Sequence, residues 1–202
     1  MFVMEVLTTT RFETPLGPLR IVSSEKGLVY IELPNESGRG FEGWKKTHAR
    51  DAKVVERRAT RDSKDSSGSS RSSDSSDTHD FHGGAIVQLF EFMSGERRDF
   101  TMDLDMRATP FQSAVYKFVA EVGYGETVSY SDIANAIGNP KAVRAVGAAN
   151  GANPIPLVVP CHRVIARGGA LQGYAGGLKM KARLLAMESG HSESAPAQER
   201  LF

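Results

Sequence analysis

Residues 50 to 80, "RDAKVVERRATRDSKDSSGSSRSSDSSDTHD", are built from serine, aspartate and arginine and are nearly free of large apolar groups after Val55. A stretch of this composition buries too little apolar surface to offset the entropy lost on ordering, so it is expected to be a flexible insert. Any core must therefore come from the blocks on either side. The interspersed aspartates point to solvation of the insert rather than to a basic tail gripping DNA.

The block before the insert reads as β-structure. In "TTTRFETPLGPLRIVSSEKGLVYIELPN", Leu19, Ile21, Leu28, Val29 and Ile31 flank the turn-like "SEKG", which predicts a hairpin. After the insert, Ala85, Ile86, Leu89, Phe90 and Met93 follow helical spacing with Gly95 as the stop. "DFTMDLDM" then alternates Phe100, Met102, Leu104 and Met106, the pattern of a strand with one buried face.

From Arg107 onward the pattern is helical. Thr109 is placed as an N-cap, with Pro110 at the first helical position and Gln112 closing a capping box. Phe111, Val115, Phe118 and Val122 form the apolar stripe of this helix. "SYSDIANAIG" predicts a second helix capped by Ser129 and stopped by Gly138. "NPKAVRAVGAANG" predicts a third, with Asn139 as cap, Pro140 next, and only a residue or two between the helices. That spacing fits a helix-turn-helix, and equally any compact helical hairpin. Ala142, Ala145, Ala148 and Ala149 would let the third helix approach a surface closely, with Arg144 projecting.

Between Arg107 and Gly190 nine lysines and arginines stand against four carboxylates, although the whole chain carries only +1. A basic half permits contact with nucleic acid, and also fits ordinary surface charge. The N-terminus lacks the basic region and long apolar core of a signal peptide, and no apolar run reaches membrane-spanning length. One cysteine makes no internal disulfide, so a reducing intracellular setting is expected: cytoplasmic in a prokaryote, nuclear in a eukaryote.

That cysteine, Cys161, sits in "VVPCHRVIARGG" after a strand-like apolar run. It reads as an inert core residue, a redox sensor or an alkyl acceptor. His162 and Arg163 are neighbours that favour thiolate, and Glu188 stands where it could orient an imidazole. If the backbone is extended at Cys161, the next side chain points to the opposite face, and His162 would reach sulfur only through a sharp bend or a water. With one thiol, a zinc site of the Pro-Cys-x-x-Cys kind is excluded. The glycines of "GGALQGYAGGL" allow a loop tight enough for backbone groups to meet a flat ligand, with Tyr174 adding a hydroxyl.

"TPFQSAVY", "YGETVSYSDIANAIGNP", "RAVGAANGANPIPLVVPCHRV", "GYAGGL" and "LLAME" occur in order from about Arg107 to Glu188. Together they closely resemble the O6-alkylguanine-DNA alkyltransferases. The resemblance implies an α+β fold: a small RNase H-like α/β domain over 1–106, matched loosely, and a mainly helical helix-turn-helix domain over 107–190. Residues 191–202 would be a tail. It implies a monomeric methylated-DNA–protein-cysteine methyltransferase, without cofactor, metal or membrane attachment. Its partner would be double-stranded DNA containing alkylated guanine.

The implied chemistry is single-turnover repair. The helix-turn-helix enters the minor groove, the lesion is flipped out, and the alkyl group passes from guanine O6, and from O4-alkylthymine, to Cys161. His162 would act through a water as base and Glu188 would orient it. Arg144 would fill the gap in the stack, with Lys141 and Ala142 beside it on the DNA. Tyr130 would donate toward the flipped base, and Asn153 would brace the turn before the active-site strand. Tyr174 and the Ala175 N–H would meet O6. The carbonyls of Cys161 and Val164 would accept from the exocyclic amine, and Pro156 would line the pocket. Two departures stand out: no cysteine remains for the N-terminal zinc of some relatives, and Ala175 replaces a serine. A lesion-binding protein without transfer activity is the main competing reading, in a group of relatives that commonly carries tryptophan in place of the cysteine.

Overall fold

The computed structural model describes residues 4–34, 40–58 and 81–190. Within it the alternating N-terminal block forms β1 (Val6–Thr14), β2 (Gly17–Ser24) and β3 (Gly27–Glu32), each antiparallel to the next. The expected hairpin closes at the pair Ser24↔Gly27. Gly27 has φ 145°, and a Cβ there would run into the backbone carbonyl of Asp103, so glycine is required at this crossing.

The first residues of the expected insert, 50–58, include ordered structure. Helix α1 (Gly40–His48) leads into β4 (Lys53–Glu56), which pairs parallel to β1 and completes a sheet of order β3-β2-β1-β4. Two valines suffice because the free edge of β1 already offers unpaired N–H and C=O groups. Residues 59–80 of the expected insert and the 191–202 tail lie outside the described residues.

Each sheet face is covered by a helix. On one, Phe41 and Trp44 of α1 pack against Leu7, Val22 and Val29. On the other, α2 (Phe81–Met93) brings Ala85, Leu89 and Phe92 onto Ile21, Leu28 and Ile31. Full burial of one such leucine or phenylalanine stabilises the fold by about 1.5–3 kcal/mol. Gly95, at φ 76°, follows the end of α2 as the spacing predicts.

"DFTMDLDM" is not a strand. It meets β3 only through Leu28, whose N–H donates to Asp103 and whose carbonyl accepts from Asp105. Phe100, Met102 and Met106 pack on the core, but Leu104 is exposed, so the alternation breaks in the middle.

Helix α3 (Pro110–Ala120) has the expected Thr109–Gln112 capping box, although it buries Val115, Tyr116 and Val119 and ends before Val122. After β5 (Val128–Ser129), helix α4 (Tyr130–Ala136) is capped reciprocally by Ser129 and Asp132. The next helix, α5, spans Val143–Gly151 rather than starting at Pro140. Asn139 accepts from the Ala142 N–H in a turn instead of capping the helix, so residues 137–142 separate α4 from α5. A 3-10 turn (Cys161–Arg163), β6 (Val164–Ile165) and α6 (Gly177–Glu188) complete the α+β architecture. Among the described residues no helix is long and apolar enough to cross a membrane.

One apolar cluster runs through both halves of the chain. It joins Ile21, Leu28 and Phe92 to Ile155, Cys161 and Leu184. The Ile31 N–H donates to Pro154 (2.8 Å), tying β3 to the segment that leads to the cysteine. On the outside Arg107 grips Glu5, Asp105 and the His48 carbonyl, and Asp105 also accepts from Ser24 (2.7 Å). Burial opposes the charge on Asp105, but the Arg107 and Ser24 hydrogen bonds outweigh it and hold the carboxyl below its usual range. That stabilisation is present above the ordinary aspartate pKa and is lost as pH falls through the lowered folded value. Arg107→Ala is therefore expected to cost about 1–3 kcal/mol near neutrality and less in acid, measured by urea denaturation at both pH values.

Candidate active site

Cys161 is mounted by a loop that folds back on itself. Asn153 Oδ1 accepts from the Ile155 N–H (3.0 Å), and its Nδ2 donates to the Val159 carbonyl (2.8 Å). Leu157 within this loop stands at φ 76°, a left-handed backbone that is costly for leucine and is held by its complete burial. The Cys161 N–H donates to Val159 (2.7 Å) and the Arg163 N–H to Pro160 (2.9 Å), which winds the chain into the 3-10 turn. The strand-like expectation fails at Cys161 itself. Pro160, at φ −77° and ψ 64°, turns the backbone out of the extended region.

The sulfur is buried, with 4% of Cys161 exposed. The expectation that His162 and Arg163 favour thiolate meets this burial. Burial pushes the thiol up to about 11, while a hydrogen bond with Asn153 and the charge of Lys181 pull the other way. Arg163 does not lower it; that guanidinium is turned toward Glu188. The resting group is a protonated thiol in an apolar shell.

His162 is wholly buried, and its Nε2 donates to Glu188 Oε1 at 2.8 Å. Its Nδ1 is also buried and makes no hydrogen bond among the described residues. Burial lowers the pKa of the ring; Glu188 opposes that fall, while Arg163 and Lys181 add to it. Glu188 further accepts from Arg163 Nε (2.8 Å), Arg163 Nη2 (2.9 Å) and the Gly125 N–H (3.1 Å). Burial works against its charge, yet the hydrogen bonds from His162 and Arg163 hold it down at about 2.

Lys181 was absent from the sequence expectations as a site residue. It is wholly buried, and its Nζ donates to the carbonyls of Val164 (2.6 Å) and Gln172 (2.7 Å). Burial pulls its pKa down to about 8. Its position was readable: Lys181, Leu184 and Glu188 share one face of α6 at helical spacing. Asn150 was missed as well, although its Nδ2 donates to the Cys161 carbonyl (3.3 Å). Buried on α5, it carries no polar pattern that would single it out.

The remaining expected residues fall into two groups. Tyr130 donates to Gln172 (3.3 Å), Val164 is bonded through Lys181, and Pro156 and Tyr174 are buried near the mount. Ala175 follows Tyr174 into the start of α6. Gly176 there is needed for close packing, since a Cβ would crowd Leu33 and the Tyr174 ring at 3.1 Å. Arg144 and Lys141 are exposed and Ala142 is half-buried, at the start of α5. Ala145 and Ala148 share that outer surface, but Ala149 turns inward, where its carbonyl accepts from Tyr116 (3.0 Å). Arg144 and Asn150 lie on one short helix, separated by about 9 Å along its axis. Among the described residues no cluster of His, Cys, Asp and Glu forms a metal site.

Comparison with known proteins places this geometry. Residues 110–190 match the family model described as the DNA binding domain of 6-O-methylguanine DNA methyltransferase. A methylated-DNA–protein-cysteine methyltransferase of Methanosarcina acetivorans is 38% identical over 177 residues, covering 88% of this chain and 95% of the relative. One from Mycolicibacterium paratuberculosis is 51% identical over 119 residues, 59% of this chain and 70% of the relative. The crystal structure of Mycobacterium tuberculosis OGT in complex with DNA is 33% identical with a TM-score of 0.69, covering 95% of this chain and 97% of that one.

Proposed function

The chain belongs to the methylated-DNA–protein-cysteine methyltransferase family, and from that premise we propose that it repairs O6-alkylguanine in duplex DNA by moving the alkyl group onto Cys161. The observation that carries this reading is the buried Cys161–His162 turn set against Glu188 of α6, which holds one imidazole nitrogen and leaves the other bare.

Glu188 is an acceptor only, so Nε2 carries the ring proton and Nδ1 is the basic atom. His162 takes the thiol proton at Nδ1 through a water. The sulfur then attacks the alkyl carbon in line. The carbon–O6 bond breaks, its electron pair stays on the oxygen, and the guanine anion takes a proton from water, while the imidazolium afterwards returns its extra proton to solvent. Tyr130 donates toward the base, while Tyr174 and the Ala175 N–H meet O6. The Val164 and Cys161 carbonyls accept from the exocyclic amine, Pro156 lines the pocket and Asn153 braces the mount. The product is a thioether with no acyl carbon for water to attack, so each molecule works once. O4-alkylthymine, which presents the same alkoxy group, is a second substrate in this reading.

On the DNA, α4 and α5 act as a helix-turn-helix in the minor groove, with residues 137–142 as the turn. Lys141 and Ala142 lie against the backbone, and Arg144 enters the stack as the lesion is flipped. Flipping costs a few kcal/mol, which an inserted side chain and a base pocket offset. The division at residue 107, with an RNase H-like N-terminal part, belongs to the same proposal. The sheet flanked by α1 and α2 supports it.

Incubation with O6-benzylguanine is expected to add one benzyl group per chain at Cys161, measured by intact mass and peptide mapping at about pH 7–8. An unmodified mass would defeat the proposal. An adduct that disappears on reduction would favour a redox thiol.

A further inference from the structure

Arg163 is a buried cation aimed mainly at one carboxylate. Its Nε and Nη2 fork onto the two oxygens of Glu188, and its Nη1 donates to the Val122 carbonyl at 2.5 Å. The ring of Tyr124 lies 5.7 Å from the guanidinium carbon. The side chain of Glu188 is fully buried and that of Arg163 is 7% exposed. A planar fork of this kind cannot be reproduced by lysine.

With the donors from His162 and Gly125, each oxygen of Glu188 receives two hydrogen bonds. The lone pairs of the carboxylate are then filled. Four donors spread its negative charge and lower its basicity, so Nε2 keeps its hydrogen and Nδ1 keeps its lone pair.

The charge balance matters as much as the geometry. A buried carboxylate beside an imidazole, with no other cation, would draw a proton onto the ring and stabilise imidazolium. An imidazolium has no lone pair with which to accept a thiol proton. The charged and titratable groups facing His162 are Glu188 and Lys181 from α6, and Arg163 and Cys161 from its own turn. The loop before α6 contributes the Tyr174 ring, with centroids 6.3 Å apart, and α2 contributes only the apolar ring of Phe92. Tyr116 and Tyr130 face the sulfur from α3 and α4. Of these, Arg163 alone is bonded to the carboxylate that would otherwise hold the ring charged.

We propose that Arg163 is a positioning residue of the acceptor site: its fork fills and neutralises Glu188, and so keeps His162 neutral with a bare Nδ1. This rests on Cys161 being the alkyl acceptor. Arg163 itself exchanges no proton. The proton leaves Sγ, crosses a water and ends on Nδ1, while the sulfur keeps the electron pair with which it attacks carbon.

The test follows the imidazole nitrogens by NMR in the full chain, together with alkyl-transfer rates across the pH range, for the wild type, Arg163→Lys and Arg163→Gln. In the wild type the ring is expected to remain neutral, protonated on Nε2, to below the ordinary imidazole range, with the rate holding to the same limit. In Arg163→Gln the uncompensated carboxylate raises the pKa of the ring. The acid limb of the rate profile then moves up by about one unit, a loss of about tenfold below it, with recovery in alkali. Arg163→Lys keeps the charge without the fork, and a smaller rise in the same direction is expected.

A rate loss equal at every pH, with the ring titration unchanged, would make Arg163 a scaffold only and overturn the proposal. If Arg163→Gln fails to fold, the ring spectrum of Arg163→Lys decides: a raised pKa or an Nδ1-protonated ring supports the proposal, and an unaltered spectrum sinks it. A wild-type chain that transfers nothing defeats the acceptor reading instead, and the ring spectra still report on Arg163.

Discussion

Cys161→Ala is expected to abolish alkyl transfer completely while leaving DNA affinity within about twofold of the wild type. The chain has no second sulfhydryl to substitute for it. Hydroxyls and amines near the site are far weaker nucleophiles toward an alkyl carbon. The substitution itself is mild, because removing one buried sulfur leaves a small void and costs about 1 kcal/mol. Lys141, just before α5, and Arg144, in its first turn, which the proposal sets against DNA, are exposed and untouched. Intact mass after prolonged incubation with alkylated duplex should equal that of the unmodified variant. A stable adduct on any other residue would remove Cys161 from the mechanism, and a large loss of affinity would give it a structural part in binding.

Arg144→Ala is expected to lower the transfer rate from O6-methylguanine in duplex by about a hundredfold, because the few kcal/mol of unstacking lose their compensation. Reaction with free O6-benzylguanine should fall by less than about twofold, since no base has to leave a stack. Alanine is the best helix former, so α5 is not weakened by the change. Arg144 is exposed, on the side of α5 away from buried Val146 and from Asn150, whose Nδ2 donates to the Cys161 carbonyl. Comparing the two substrates with one protein preparation separates insertion from chemistry. Equal losses on both would count against a role in flipping.

The local signals were legible wherever they obey a short-range rule. Thr109 with Gln112, Ser129 as cap, and Gly95 and Gly138 as stops follow from single-turn hydrogen bonding and from φ values that only glycine adopts cheaply. The hairpin followed from apolar residues on both sides of a turn, but its register did not: the pairing shifts between Val22 and Ser23, and β3 is buried on both faces. Other features depend on partners distant in sequence. Lys53–Glu56 become a strand because the edge of β1 is free, which nothing in those four residues announces. Phe100 to Met106 alternates like a strand, but β3 accepts only one residue of it.

The site shows the same divide. Cys161, His162 and Glu188 were named from motif order, and the structure brings the histidine and glutamate into contact. The burial of the thiol was left open among the readings, because an apolar run does not reveal whether a turn carries its residue inward. Lys181 was counted as surface charge for the same reason, although its spacing from Glu188 placed both on one helical face.

The two-residue parallel pair of β5 and β6 has a consequence out of proportion to its size. It matches Val128 with Val164 and Ser129 with Ile165. Tyr130 opens α4 directly after the first strand, and the Cys161 turn ends where the second begins. Helix α4 and the turn that holds the sulfur are thus pinned to each other within one residue at either end. If α4 meets the duplex as proposed, a load on that helix reaches the Cys161 turn through this pair of strands, with no longer connection in between.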